Sequence, residues 1–63
     1  MLSTIVMKKR KLLELTQEEV SEKLSISRQY YNEIENFKRT PSVNLAKEIG
    51  KVLDLDWLVF FSQ

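Results

Sequence analysis

The sequence predicts an all-α fold, a compact bundle of five short helices that forms a single domain over residues 1–63. Apolar side chains recur at spacings of three and four residues, and the two-residue alternation typical of a strand is absent. One glycine and one proline are too few for the turns of a β-protein. With 43% hydrophobic and 30% charged residues, the chain has the composition of one small globular domain.

The composition also argues against several classes of function. The sequence contains no cysteine and no histidine, which removes disulfides, thiolate metal sites and the commonest general base. A chain this short has little room for an active-site cleft, so we expect neither an enzyme nor a cofactor or metal site. No apolar run approaches the roughly 18 residues of a membrane span. The apolar stretch of the N-terminus precedes its basic stretch, the reverse of a secretory signal, so a cytoplasmic protein is expected.

The first two helices are predicted from apolar spacing and from one capping signal. The first helix is expected from Leu2 to Leu13. Thr16 is the predicted N-cap of the second helix, because Glu19 follows three residues later and completes a capping box. The residues expected to face inward are Leu2, Val6 and Leu13 in the first helix, and Val20 and Leu24 in the second.

The segment Ser25-Ile26-Ser27 is predicted to be a tight turn, with Ser27 as the N-cap of a third helix that reaches about Asn36. Ile26 is the apolar residue that would hold the two helices together at the turn, and Ser21 is small enough for a close helix crossing. Tyr31 and Ile34, three residues apart, are expected on the inner side of the third helix.

Pro41 marks the one clear loop, and Ser42 after it is the predicted N-cap of the fourth helix. Asp56 is expected to cap a last short helix with the sequence WLVFFS. The aromatic residues of this last helix either close the core or take part in a dimer contact. The inward stripe of the fourth helix is predicted to be Val43, Ala46, Ile49, Gly50 and Leu53, and the aromatic face of the fifth Trp57, Phe60 and Phe61.

Two short helices joined by a three-residue turn form a helix-turn-helix unit, predicted here at about residues 17–36. The second helix of such a unit can enter the major groove of DNA with its N-terminal residues against the base edges. The outer face of the third helix carries Arg28, Gln29 and Asn32, whose side chains suit such contacts. An ordinary solvated helix face is the alternative explanation for these polar residues.

The stretch LTQEEVSEKLSISRQYYNEIENFKRTPS resembles the helix-turn-helix domain of phage repressors and Cro proteins, the Xre-like regulators. The resemblance continues through the fourth helix to LDLDWL, and it implies a lambda-repressor-like fold. The matching residues are Leu15, Thr16, Gln17, Val20, Leu24, Ile26, Ser27, Ile34, Glu35, Arg39, Pro41 and Ser42. The chain departs from the family pattern where Ser25, Phe37 and Asp54 replace glycines and where Ser21 replaces an alanine.

The resemblance implies three sets of residues. Base contacts correspond to Arg28, Gln29, Asn32 and Glu33, where arginine suits guanine, an amide suits adenine and a carboxylate suits cytosine. DNA-backbone or flanking contacts correspond to Gln17, Ser27, Tyr30, Asn36, Lys38, Arg39 and Thr40. A structural ion pair is expected between Arg10 and Glu35.

The expected function is sequence-specific binding of double-stranded DNA by a small transcriptional regulator, a repressor, with the third helix (about 28–36) in the major groove. The resemblance implies a homodimer on an operator with two half-sites. No small-molecule effector and no membrane partner are indicated. The alternatives are a protein-interaction module, such as the antitoxin of a toxin–antitoxin pair, and a restriction-modification controller protein.

Overall fold

A computed structural model describes the backbone of residues 2–61 and the side chains of residues 5–61. The four α-helices are α1 (Leu2–Leu12), α2 (Gln17–Leu24), α3 (Arg28–Glu35) and α4 (Val43–Leu53), and a 3-10 helix follows at Trp57–Phe61. The all-α prediction is correct, whereas the fifth helix is a short 3-10 helix. Met1, Ser62, Gln63 and the predicted inward side chain of Leu2 lie outside the described residues.

The helix starts follow the capping signals of the sequence. Thr16 Oγ1 accepts from the Glu19 N–H at 3.0 Å, and Glu19 Oε1 accepts from the Thr16 N–H at 2.9 Å, which is the predicted capping box. The Ser27 hydroxyl accepts from the Tyr30 N–H at 3.0 Å. Ser42 caps α4 in the same way, with the Leu45 N–H at 3.2 Å. Local sequence therefore sets where each of these helices begins.

Several helices end in the left-handed backbone conformation that usually selects glycine. The described residues with positive φ are Glu14 (57°), Ser25 (58°), Phe37 (59°) and Asp54 (55°), and none of them is a glycine. Ser25 and Asp54 are the C-caps of α2 and α4. An L-residue other than glycine pays roughly 1–2 kcal/mol for this conformation, so these chain reversals are held by the surrounding contacts.

Gly50 lies inside α4 and has a packing role. A Cβ atom placed on Gly50 would lie 2.8 Å from the carbonyl oxygen of Leu55 and 3.3 Å from the Cβ of Trp57. The absence of a side chain therefore allows the chain that follows α4 to cross close over it.

The core lies between the helices and is formed by side chains from all of them. Those at 0% exposure are Val6, Val20, Tyr31, Ile34, Ala46, Ile49 and Leu53, and Phe60 from the 3-10 helix is 3% exposed. Leu24, Ile26 and Trp57 are partly buried and pack against this cluster. Most of the predicted inward residues are therefore confirmed.

Three predicted core positions are exposed. Leu13 is 42% exposed because α1 ends at Leu12, so that Leu13 leaves the inward face of the helix. Val43 is 50% exposed as the first residue of α4, at the margin of the helix packing. Phe61 is 42% exposed because a 3-10 helix has about three residues per turn. Phe60 is buried in the core, while the exposed Phe61 ring packs edge-to-face on the Trp57 ring, with centroids 6.0 Å apart.

The packing leaves one side of α3 open. α3 packs against α2 and α1, while α4 packs against α1, α2 and the 3-10 helix. Ser21 is 3% exposed on α2, so the small residue expected at a close helix crossing is buried. None of the described helices is long and apolar enough to cross a membrane.

Candidate nucleic-acid interface

The open side of α3 carries a polar surface that we call the α3 surface, made of two adjoining depressions. Gln29 lines both of them, at the first turn of α3. The first depression is completed by Gln17, Arg28 and Asn32. The second is completed by Ser27, Tyr30, Glu33 and Arg39. The two ends of α3 thus contribute to one continuous surface.

A buried ion pair lies beneath this surface. Arg10 Nε donates to Glu35 Oε1 at 2.7 Å and Arg10 Nη2 donates to Glu35 Oε2 at 3.2 Å. Arg10 is 9% exposed and Glu35 is 2% exposed. Arg10 Nη1 also donates to the carbonyl oxygen of Leu15 at 2.9 Å, and the Tyr31 hydroxyl donates to Glu35 Oε1 at 2.9 Å. The pair therefore ties α1 and the start of the α2 region to the end of α3.

The surroundings of Glu35 keep its carboxylate ionised. Burial acts to raise the pKa of Glu35, but hydrogen bonds from Arg10, Gln17 and Tyr31 outweigh it and lower the pKa below its ordinary value. The hydrogen bond to Glu35 raises the pKa of Arg10. Burial and the charge of Glu35 raise the pKa of the Tyr31 hydroxyl, which stays protonated and donates. Glu35 is consequently an acceptor for every neighbouring donor.

An amide network connects this pair to the exposed surface. Gln17 Nε2 donates to Glu35 Oε2 at 2.8 Å and to Asn32 Oδ1 at 3.1 Å. Asn36 Nδ2 donates to Asn32 Oδ1 at 2.8 Å and to the Asn32 main-chain oxygen at 2.9 Å. Both amide hydrogens of the Gln17 side chain are therefore engaged within the protein, so a phosphate contact by this side chain would compete with Glu35 and Asn32.

Glu33 also has a partner in the structure. Arg39 Nε lies 3.1 Å from Glu33 Oε1, and the Arg39 guanidinium stacks over the Tyr30 ring at 5.3 Å from the ring centroid. The main-chain N–H of Lys38 donates to the Glu33 carbonyl oxygen at 2.8 Å. The loop after α3 is therefore fastened to α3 at Glu33, and a cytosine contact by this carboxylate would compete with Arg39.

Arg28 and Gln29 differ from these residues. Both are exposed at the first turn of α3, and their side chains have no hydrogen-bond or ion-pair partner within the described part of the chain. Lys38 and Thr40 are exposed in the loop that follows α3. These side chains keep their hydrogen-bonding groups available for a partner molecule.

The comparison with protein families fits this geometry. A helix-turn-helix family model matches residues 6–60, which covers nearly the whole chain. The chain belongs to the helix-turn-helix family. In this family member the motif is α2, the turn at Ser25-Ile26-Ser27, and α3.

One curated relative of this helix-turn-helix chain is the uncharacterized HTH-type transcriptional regulator YqaF of Bacillus subtilis (strain 168). The two sequences are 52% identical over 46 residues. The matched region is 73% of this chain and spans only 60% of the length of the relative. No solved structure matches the chain significantly.

The helix-turn-helix geometry pairs residues that the sequence analysis assigned to different sets of DNA contacts. Asn32 and Asn36, four residues apart on α3, are spaced for a side-chain contact, and this signal was available in the sequence. The contacts of Gln17 with Asn32 and of Glu33 with Arg39 depend on the helix crossing and the loop path, for which no local pattern exists. The sequence therefore predicted the surface but missed its internal pairing.

Proposed function

We propose that this chain binds double-stranded DNA sequence-specifically as a transcriptional regulator, with α3 in the major groove. The observation that carries the proposal is the exposure of Arg28 and Gln29, unpartnered among the described side chains, at the first turn of the second motif helix. That turn is the part of a helix-turn-helix that meets the base edges. Membership of the family and a relative named as a transcriptional regulator support the same function.

The proposed contacts divide along the surface. Arg28 would donate two hydrogen bonds to guanine O6 and N7, and the Gln29 amide would pair with adenine. Asn32, one turn later, contacts the next base edge. The flanking contacts to phosphate and sugar are assigned to Ser27, Tyr30, Lys38, Arg39 and Thr40, and Asn36 remains beside Asn32 at the end of α3.

The described part of one copy is too small to reach two half-sites. The described part of the chain measures 25 × 21 × 19 Å along its principal axes, whereas half-sites one helical turn apart are separated by about 34 Å. We therefore propose a homodimer on a two-half-site operator. Two copies of α3 would then enter successive turns of the major groove on one side of the duplex.

The proposed regulatory mechanism is steric repression. A dimer that covers two turns of the major groove blocks polymerase from an overlapping promoter, and this mechanism requires neither a cofactor nor catalysis. We propose that it acts in the cytoplasm.

Selection of random duplex DNA by the purified protein tests the proposal. A palindromic enriched motif is expected, and binding of a duplex with that motif should be at least about 1000-fold tighter than binding of scrambled duplex at physiological salt. Lys51→Ala is the control for the loss of charge alone, since it removes one positive charge from α4, away from the α3 surface. Failure to enrich any motif would overturn the proposal.

A protein-interaction module is the second candidate, because several large apolar side chains are exposed. Leu12 is 76% exposed, Leu58 52% and Phe61 42%. If no motif is enriched, co-purification with the product of a neighbouring gene and DNA binding only in that complex would favour this candidate. The antitoxin alternative belongs to this second outcome, whereas a restriction-modification controller would enrich a motif as a repressor does.

A further inference from the structure

We infer that Asn32 contacts DNA as a hydrogen-bond donor only, because Gln17 and Asn36 occupy its carbonyl oxygen. This inference rests on the proposed function and names the base edges that Asn32 can select. It can be observed as the base preference at one position of the operator. It replaces the expectation that the Asn32 amide pairs with adenine through both its oxygen and its nitrogen.

The orientation of the Gln17 amide follows from its acceptor. The group 2.8 Å from Glu35 Oε2 must be a donor, because an ionised carboxylate has no hydrogen to give. This fixes the Gln17 nitrogen towards Glu35. The same nitrogen lies 3.1 Å from the Asn32 side chain, so the Asn32 atom facing it must be the oxygen. Two facing nitrogens would each present a hydrogen and repel.

Asn36 gives the same assignment independently. Its side-chain amide lies 2.9 Å from the Asn32 main-chain carbonyl oxygen, which can only accept, so the Asn36 nitrogen faces Asn32. That nitrogen is also 2.8 Å from Asn32 Oδ1. Two acceptors that cannot reverse, one on Glu35 and one on the main chain, thus determine the orientation of all three amides.

The Asn32 carboxamide consequently offers different groups to the protein and to the solvent. A carbonyl oxygen has two lone pairs, and both are taken by the nitrogens of Gln17 and Asn36. Nδ2 has no acceptor within the part of the chain that the structure describes, and Asn32 is exposed in the same depression as Arg28. Asn32 therefore presents two N–H groups to a bound partner.

Base edges in the major groove differ in how they meet such a donor. Guanine offers O6 and N7, thymine offers O4, and adenine offers only N7 as an acceptor beside its 6-amino group. Cytosine offers a 4-amino donor, which would oppose Asn32. The two-bond contact of asparagine with adenine needs the carbonyl oxygen, which is unavailable here. Asn32 therefore donates to the guanine or thymine of the base pair. It makes no hydrogen bond with the amino group of the paired cytosine or adenine.

Gln17 is a positioning residue in this scheme. It holds the Asn32 oxygen inward and is anchored by Glu35, which is held by Arg10. Replacing Gln17 by methionine keeps the length of the side chain and removes both donors. The Asn32 oxygen then has a free lone pair, and the base contact can include an amino group.

The test uses the motif selected from random duplex DNA. Asn32→Ala first identifies the column in which discrimination is lost. The exocyclic major-groove amino group of that base pair is then removed, by purine in place of adenine or by pyrimidin-2-one in place of cytosine. The wild-type protein should lose less than about twofold in affinity, relative to the same change at an uncontacted column. Gln17→Met should turn this into a loss of about fivefold to tenfold.

Glu22→Met is the matched control, because it places the same residue on an exposed position of α2. Because it removes a negative charge, it should raise affinity equally for all DNA sequences. Removal of the exocyclic amino group should still cost this variant less than about twofold in affinity. A tenfold loss with wild-type protein on removing the amino group would overturn the inference, as would an Asn32→Ala variant that relaxes no column. In both cases a motif is still enriched and the proposed function stands. With no enriched motif, the proposed function fails and this inference fails with it.

Discussion

The two ends of α3 are built differently. At the first turn, Arg28 and Gln29 are exposed, and their side chains make no hydrogen bond or ion pair with the described part of the protein. At the last turn, Glu35 is buried, and Asn32 and Asn36 are joined to one another and, through Gln17, to the buried pair. One helix of eight residues therefore combines an end with unbonded side chains and an end whose side chains are already hydrogen-bonded within the protein.

This difference separates two contributions to recognition. Long side chains at the first turn can adjust to a base edge, but each loses about 0.5–1.5 kcal/mol of conformational freedom when it is immobilised. The side chains at the last turn are already hydrogen-bonded within the protein, so we expect them to lose less of that freedom on binding. We expect the first turn to supply most of the discrimination between sequences and the last turn to fix the register of α3.

Breaking the ion pair under the last turn has the largest expected effect. Arg10→Met leaves the Glu35 carboxylate buried without its main partner, which destabilises a protein by about 3–5 kcal/mol. Urea denaturation measures this loss. Lys9→Met is the control, since Lys9 makes only a 3.9 Å contact with the exposed Asp54, and it should change stability by less than about 0.5 kcal/mol. Equal effects of the two substitutions would contradict a structural role for the pair.

Low pH should reduce the stability that Glu35 contributes at the same end of α3. Because the pKa of Glu35 is lowered in the folded state, its contribution is fully present above the unfolded value near 4.5 and is lost as the pH falls through the folded value. The effect is smaller than that of Arg10→Met, because a protonated carboxyl can still accept from Arg10. Denaturation between pH 3 and pH 7 measures it.

The acid prediction has an internal control. The pKa of Glu19 is also lowered, by its hydrogen bond with the Thr16 main chain, so Glu19 contributes in the same direction. Glu19→Gln should leave most of the acid dependence in place, whereas Glu35→Gln should remove a clear part of it. The reverse result would place the acid-sensitive group in the capping box.

At the other end of α3, Arg28→Ala should reduce affinity for the selected operator by about 1–3 kcal/mol, or roughly fivefold to 150-fold. Affinity for random duplex should fall much less, and the melting temperature should change little, because the exposed Arg28 side chain makes no hydrogen bond or ion pair within the described part of the protein. Fluorescence anisotropy with both duplexes measures this. Equal losses on the two duplexes would make Arg28 a phosphate contact.

Glycine at the turn between α2 and α3 should stabilise the chain slightly. Ser25 is exposed with φ at 58°, so Ser25→Gly should raise stability by up to about 1 kcal/mol, less the entropy that glycine adds to the unfolded state. Phe37→Gly is the contrasting variant. Phe37 has the same backbone conformation, but its ring stacks on Phe60 with centroids 5.7 Å apart, so its loss should destabilise. Thermal unfolding distinguishes the two.

The smallest effect is expected in the loop after α3. Lys38→Ala should weaken binding to operator and random duplex to the same degree, and it should reduce the slope of log affinity against log salt by about one. Titrations at several salt concentrations measure the slope. An unchanged slope would remove Lys38 from the phosphate contacts.

Local signals account for what the sequence predicted well. Thr16, Ser27 and Ser42 cap helices through bonds to main-chain groups three residues away, so the pattern and the structure involve the same short segment. The inward positions Tyr31 and Ile34 follow from helical periodicity. The left-handed Ser25 was foreseen only as a departure from a family glycine, because nothing in serine itself favours that conformation.

Features that depend on tertiary packing were not predictable. A one-residue difference in the end of α1 exposes Leu13, and 3-10 geometry in place of an α-helix exposes Phe61. The direction of the Asn32 amide depends on Gln17, which is 15 residues away in sequence. Chemical type predicted that Asn32 would form hydrogen bonds, but only the fold shows which of its atoms remains available.

The contrast between the two ends of α3 is tested most directly by NMR relaxation of side-chain amides, with and without the selected duplex. In the free protein, the Gln17, Asn32 and Asn36 amides should be as ordered as rigid backbone, with order parameters near about 0.85, while Gln29 should lie below about 0.6. On the operator, Gln29 should become ordered and the other three should change little. A mobile Asn32 in the free protein, or a Gln29 that stays mobile on the operator, would contradict the account.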